Sequence, residues 1–452
     1  MPKRDTLRAQ LWPLPTLGIA LSVVAGVGLP RLDKRIQYDL PIWLRDYLFG
    51  GSPDAARSVL AAIAGSLVTV TALTFSLTVL TLQLASSQFS PRVLRTFSAD
   101  RYVKATLALF LATFTFALTV LRTVRTGEDG QGGFVPRVSV TAAFVLTLAS
   151  VLALVLFLSH LAREIRIETM MSSVHSAADH SISLLLAMKE DGDRADPDAG
   201  RPPAVLPEPP DNALVLTADR SGFLTSVDEA ALVKATVEAD AFMVLDRSPG
   251  SSLIAGTPIG AAWTRAGEQF SSGTREALAE GVAEAVRTGP ERTELQDVAF
   301  GLRQLTDIAA KALSPGVNDP TTAVHALSHS SALLCALARR DLGPRLLCDD
   351  HQQVRVVLRR PDLWDLLDLA VDQPLRYGAA EPAVLARIAM LLRELAWHAE
   401  PAQHPPVTAA LTRLRSTIDA QNLHATEHAK LTELSRLVDD ALAGRWPRGP
   451  GS

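Results

Sequence analysis

The stretch "AGSLVTVTALTFSLTVLTLQLASSQFSPRVLRTF" (Ala64 to Phe97) decides the first half of this chain. No Asp, Glu, Lys or Arg occurs from Ser58 to Pro91; then Arg92, Arg95, Arg101 and Lys104 follow in quick succession. A helix needs roughly 20 apolar residues to cross a bilayer, and cations gather where such a helix leaves the hydrocarbon. The uncharged run therefore reads as a membrane span, and SPRVLRTF as its exit into the headgroup layer.

Three more segments before residue 162 pass the same length test. The spans run from about 11 to 29, 59 to 84, 103 to 121 and 138 to 161. Lys3, Arg4 and Arg8 precede the first, as in a signal peptide, but no small-residue cleavage site precedes Arg31, so an uncleaved anchor is expected. An even number of spans puts both termini on one side. The basic turn of Arg92, Arg95 and Arg101 assigns that side to the cytosol of a bacterial plasma membrane. Arg31, Lys34, Arg35, Arg45 and Arg57 in the first loop weaken the bias. "YDLPIWLRDYLFG" (Tyr38 to Gly50) gathers aromatic rings near charges, as a helix lying at the interface does.

The second span is rich in hydroxyls. Val68, Ala72, Phe75, Val79 and Leu82 recur at helical spacing on one apolar face, and Thr71, Thr74, Thr78 and Thr81 form a neighbouring stripe. With Gln83 and Gln88 they are candidates for a polar path across the membrane. The alternative is that Ser and Thr donate to carbonyls one turn back and let helices pack closely. Arg122 and Arg125 close the third span, where their side chains can reach headgroups.

After Leu161 the composition changes. Residues 162–212 read as an amphipathic helix followed by a linker rich in Pro and Asp ("DGDRADPDAGRPPAVLPEPPDN"). Residues 213–264 alternate short β-prone runs with Ser-Gly and Pro-Gly turns. That order resembles the small β-sandwich of biotinyl and lipoyl carrier domains and of membrane-fusion proteins. No exposed hairpin lysine is present, and Lys234 lies in the helical "EAALVKATVEA", so no attached cofactor is expected.

Residues 265–444 read as mainly helical, with "QQVRVVLRR" as one strand, and residues 445–452 as a disordered tail. "ERTELQDVAFGLRQLTDIAAKAL" (Glu291 to Leu313) puts Leu295, Val298, Leu302, Leu305, Ile308 and Ala312 on one stripe. In "SPGVNDPTT" Gly316 suits a helix C-terminus, Asp319 an N-cap and Pro320 the first helical position. Asp297, Arg303, Asp307, Asn318 and Asp319 are the candidates for a cytosolic polar site; the alternative is a solvated face plus caps. His325 and His329, one turn apart, lack the Glu of a zinc-protease helix, and Cys335 and Cys348 have no paired spacing.

"QLASSQFSPRVLRTF" (Gln83 to Phe97), "ELQDVAFGLRQLTDIAAKALSPGVNDPTTA" (Glu294 to Ala323) and "SGFLTSVD" (Ser221 to Asp228), with "FVPRVSVT" and "DQPLRYGA", resemble a bacterial integral membrane protein family catalogued as domain of unknown function 2254. The resemblance implies a membrane-anchored protein with a cytosolic C-terminal region, and it supplies no catalytic residues. The expected fold is four transmembrane helices followed by a mixed α+β region, a small β-sandwich and then helices. A net charge of −4 excludes a general nucleic-acid binder. With no nucleophile–base set, phosphate loop or dinucleotide fingerprint, no enzyme activity is expected. An oligomeric channel or transporter is the first functional expectation. A membrane-anchored sensor or scaffold binding a small ligand or a protein is the second. Both partner with the bilayer, and the first requires a homo-oligomer, because four spans do not enclose a path.

Overall fold

A computed structural model describes residues 12–36, 48–88, 101–125, 134–164, 167–186, 208–265 and 267–447. The chain forms two compact units, residues 1–169 and 170–452. The expected interfacial helix in 38–47, the exit-loop residues Arg92 and Arg95, and residues 191–207 of the linker lie outside the described residues.

Among the described residues the first unit holds four helices, α1 (Pro13–Ile36), α2 (Pro53–Gln88), α3 (Arg101–Leu121) and α4 (Arg137–Glu164). Each is long and apolar enough to cross a membrane. α3 is the hub and packs against the other three. Its Phe110, Phe116, Ala117 and Val120 meet Leu60, Ile63, Ala64 and Leu67 of α2 in one buried cluster. On α4, Val145, Leu148, Val151, Leu152, Val155 and Leu156 are exposed, the outward apolar face that a lipid-facing helix carries.

α1 runs seven residues beyond the expected end of the first span, Leu29, and a buried carboxylate explains the extension. Asp33 accepts hydrogen bonds from the backbone N–H of Val138 (3.0 Å) and Ser139 (3.0 Å) and from the Ser139 hydroxyl (2.8 Å). It thus satisfies the free amides that begin α4, and it ties the end of the first helix to the start of the fourth. Lys104, read from sequence as part of a basic turn, is buried on α3.

The second unit begins within α5 (Ile167–Leu185). A mixed five-stranded sheet follows, in the order β1 (Leu214–Thr217), β5 (Pro258–Thr264), β3 (Ala241–Leu245), β8 (Val354–Leu358), β7 (Arg345–Cys348). A smaller antiparallel sheet has the order β4 (Ser252–Leu253), β2 (Gly222–Val227), β6 (Val286–Gly289). The helices α6 (Glu229–Glu238) and α7 (Ser272–Ala285) supply Leu232, Leu278 and Val282 to the core beneath these sheets.

This arrangement corrects the expected β-sandwich of residues 213–264, which does not close on itself. β3 pairs in parallel with β8, Met243 opposite Val356, and β2 pairs with β6, Val227 opposite Val286. A parallel partner requires a long crossover, and here it runs from Leu245 to Val354, into the strand read from sequence at "QQVRVVLRR".

The remaining helices are α8 (Phe300–Ala312), α9 (Pro320–Ala338), α10 (Leu363–Tyr377), α11 (Pro382–His398), α12 (His404–Ala420) and α13 (Ala425–Leu442). α9 lies against α8 and α11, and α11 against α12 and α13. The first residues of the expected disordered tail are ordered. Arg445 pairs with Asp440 (2.6 Å), and the Trp446 ring covers the buried Arg393 guanidinium at 3.8 Å and meets Trp397 edge-on.

Candidate functional site

The four candidate threonines of the second span, Thr71, Thr74, Thr78 and Thr81, sit on the side of α2 that faces its neighbours. Thr74 is fully buried and Thr81 nearly so. Thr71, Thr78 and Thr81 donate to the carbonyls of Leu67 (2.6 Å), Thr74 (2.8 Å) and Leu77 (2.8 Å). Of these four hydroxyls, that of Thr74 has no partner among the described residues. Three of the four hydroxyls thus donate within their own helix, the arrangement that lets helices pack closely.

The opposite side of α2 carries a second stripe, of small and polar residues. Ser58, Ala62, Gly65, Thr69, Ala72, Ser76, Val79 and Gln83 recur at alternating spacings of four and three, and all are exposed. Val68, Phe75 and Val79, read from sequence as one apolar face, are exposed as well. Gln83 therefore lies on the outward stripe and not beside the threonines. The signal was available in the small residues, which repeat with the seven-residue period of helices that pack side by side. For Gln88 and Arg101 only the helical backbone is described.

In the second unit, the proposed polar cluster is divided between the two ends of α8. The helix begins at Phe300, not near Glu291, so Leu295 is exposed instead of joining the buried stripe. Side chains hold the preceding residues in place. The Gln296 amide accepts from the Val227 N–H (2.8 Å) and donates to the Val227 carbonyl (3.2 Å), acting as a further strand partner at the end of β2. Asp297, only 3% exposed, receives Arg292 through Nε (2.9 Å) and Nη2 (2.6 Å), and its other oxygen accepts from the Ala299 N–H (3.1 Å). Burial pushes the Asp297 carboxyl above the ordinary aspartate range, against the pull of Arg292.

Two glycines make this junction possible. Gly250 has a φ of +92°, and a Cβ there would fall 2.2 Å from Asp297 Oδ2. At Gly301 a Cβ would fall 2.3 Å from the Cβ of Ala178 on α5. The motif "ELQDVAFG" thus joins the smaller sheet, the start of α8 and α5. At the other end of α5, Arg340 donates to the Leu186 carbonyl (3.1 Å) and Arg360 to that of Leu185 (3.2 Å).

Arg303 and Asp307 stand one turn apart along α8, half-buried. Asn318 and Asp319 follow its far end, about 20 Å from Asp297 by the rise of the intervening helix. The expected cap at Gly316 is displaced: α8 is capped by Leu313, and Asn318 takes the left-handed conformation, φ 49°. Asp319 is the N-cap of α9 and accepts from the N–H (3.1 Å) and hydroxyl (2.5 Å) of Thr322, which hold its carboxyl below the ordinary range. Its contribution to stability is therefore complete above the ordinary aspartate value and is lost as pH falls through the lowered, folded value. Asp319→Ala is expected to cost about 1 kcal/mol at neutral pH. The gap from the native protein should narrow in acid, as followed by urea unfolding of the detergent-solubilised chain at several pH values.

The ring of His329 lies 5.2 Å from that of His175, and burial lowers its pKa. No three His, Cys, Asp or Glu side chains among the described residues are placed to hold a metal ion. Cys335 and Cys348 are free, and burial raises the Cys335 thiol to about 11, so it stays protonated at neutral pH.

Residues 8–394 match the family model described as "Predicted membrane protein (DUF2254)". Uncharacterized proteins of Mycobacterium bovis and of two strains of Mycobacterium tuberculosis are each 35% identical over 392 residues, which is 87% of this chain and 73% of theirs. The chain belongs to this family of predicted membrane proteins. No solved structure matches it.

Proposed function

We propose that the protein is a homo-oligomeric channel or transporter of the bacterial plasma membrane. In this reading both termini are cytosolic, and the second unit regulates or assembles the membrane helices without catalysing a reaction. The observation that carries the reading is the exposed stripe of Ser58, Ser76 and Gln83 on α2; Thr69 lies on the same stripe, but its hydroxyl already donates to the Gly65 carbonyl (3.2 Å). An amide and hydroxyls facing lipid are costly, whereas over residues 138–161 the exposed face of α4 is apolar apart from Ser159, whose hydroxyl donates to the Val155 carbonyl (2.9 Å). Bringing α2 helices of several copies around one axis places those groups against each other or against water.

The test is ion and small-solute flux in proteoliposomes. Gln83→Leu and Ser76→Leu should change flux tenfold or more at equal incorporation. Thr74→Val, whose hydroxyl is buried, should leave it unchanged. Absence of flux from the native protein across a broad solute panel would sink this reading.

The membrane-anchored sensor has one observation of its own. An open pocket of about 390 Å3, lined by Ser226, Asp228, Glu229, Arg287 and Gln296, presents both charges to a small polar ligand. Ligand-induced stabilisation that Arg287→Ala abolishes would favour it.

A further inference from the structure

The first unit contains a cleft of about 690 Å3 between α1 and α4, floored by Ala112 and Phe116 of α3. Leu21, Ala25 and Leu29 form one wall, and Val138, Ala142 and Val145 the other. Its two hydroxyls are already used. Ser22 donates to the Ile19 carbonyl (2.8 Å); Thr141 donates to the Arg137 carbonyl (2.9 Å) and accepts from the Phe49 N–H (3.0 Å). Neither hydroxyl has a proton left to donate to a polar solute, and burying one there would leave hydrogen bonds unmade.

One end of the cleft is basic. Where α1 ends, α3 ends and α4 begins, Arg31, Lys34, Arg35, Arg122, Arg125 and Arg137 are exposed. The buried Asp33 beside them is engaged by three donors from α4. An apolar slot under a cationic rim is complementary to a molecule with a hydrocarbon body and an anionic head. The volume falls within the range of roughly 300–1,000 Å3 over which proteins enclose small ligands.

We infer that the cleft holds an acyl chain of an anionic phospholipid, with the headgroup at the basic rim. The chain is held by displacement of contacts with the surrounding hydrocarbon, so selectivity resides in the headgroup. The inference does not depend on whether α2 lines a path.

Native mass spectrometry of the full-length protein in detergent, titrated with dioleoyl phosphatidylglycerol or dioleoyl phosphatidylcholine, tests it. Phosphatidylglycerol should bind at least tenfold more tightly. Ala142→Phe, which fills the cleft, should abolish that difference; Arg137→Ala should reduce it several-fold. A measurement on the native sequence covers the case in which the filled variant misfolds: dihexanoyl phosphatidylglycerol, with the same head and short chains, should compete at least tenfold less well than the dioleoyl lipid. Equal binding of the two headgroups, equal competition by the short-chain lipid, or unchanged lipid binding by a folded Ala142→Phe protein would each overturn the inference. So would a change in oligomer mass on filling the cleft with lipid binding intact, which would make the occupant a second copy of the chain.

Discussion

Asp297→Ala is expected to destabilise the second unit by about 3 kcal/mol, among the largest effects of any single polar substitution in this chain. The reason is the asymmetry of a buried ion pair. Arg292 approaches Asp297 through two nitrogens, and its own side chain is only 17% exposed. Removing the carboxylate leaves that guanidinium without its partner and withdraws the acceptor of the Ala299 N–H. The pair itself is not a source of stability, since burial raises the Asp297 pKa by more than Arg292 lowers it. Replacing both residues, Asp297→Leu with Arg292→Met, is therefore expected to recover most of the loss. Urea unfolding of the detergent-solubilised chain, followed by hydrogen exchange at residues 292–300, distinguishes the cases. A double variant as unstable as Asp297→Ala would show that the geometry of the motif, and not the unpaired charge, is what matters.

The elements legible in the sequence were those with one dominant cause. The four long apolar helices follow from length and hydropathy alone, and Asp319-Pro320 marks the start of α9 because an N-cap side chain and a proline act locally. What sequence missed depended on partners distant along the chain. β8 looked like a lone strand until β3, more than a hundred residues earlier, supplied its parallel neighbour. The helical stripe from Leu295 onward was a good 3.6-residue pattern, but Gln296 bonds to β2 and Asp297 to Arg292, and both hold the chain out of the helix until Phe300. In α2 the period and the apolar face were read correctly, while the placing of Gln83 with the threonines was not. Thr and Val differ little in shape, and in a helix meant for lipid, apolarity does not distinguish inside from outside. The small residues at four-three spacing carried that information better than the threonines.

Gly301→Leu is expected to release α5 from the second unit. The position has no room on the α5 side: a Cβ there would already lie 2.3 Å from that of Ala178, so even alanine forces the two helices apart. Overpacking of this kind costs about 1–3 kcal/mol, and the cost falls on a helix with few other attachments. Met170, Met171, Val174, Ala178 and Ile182 form its buried face, and Arg340 and Arg360 hold its last carbonyls. Separation by even a fraction of an ångström loosens the whole apolar face, while α8 keeps its own contacts with α9 and α10. The hydroxyl of Thr306 reaching the Leu369 carbonyl (3.1 Å) is one of those contacts. Hydrogen exchange should therefore rise tenfold or more in α5, with little change in α9 and α10. The milder Gly301→Ala should show a smaller rise that Ala178→Gly reverses, because the second change returns the lost space at the same contact. Uniform loss of protection across the unit would instead mean that α5 and the helices behind it unfold together. Because α5 follows directly on α4, through residues 165–166, a selectively loosened α5 in proteoliposomes also tests whether the second unit governs the membrane helices: flux should then change with Gly301→Leu although the substituted residue lies outside every candidate span.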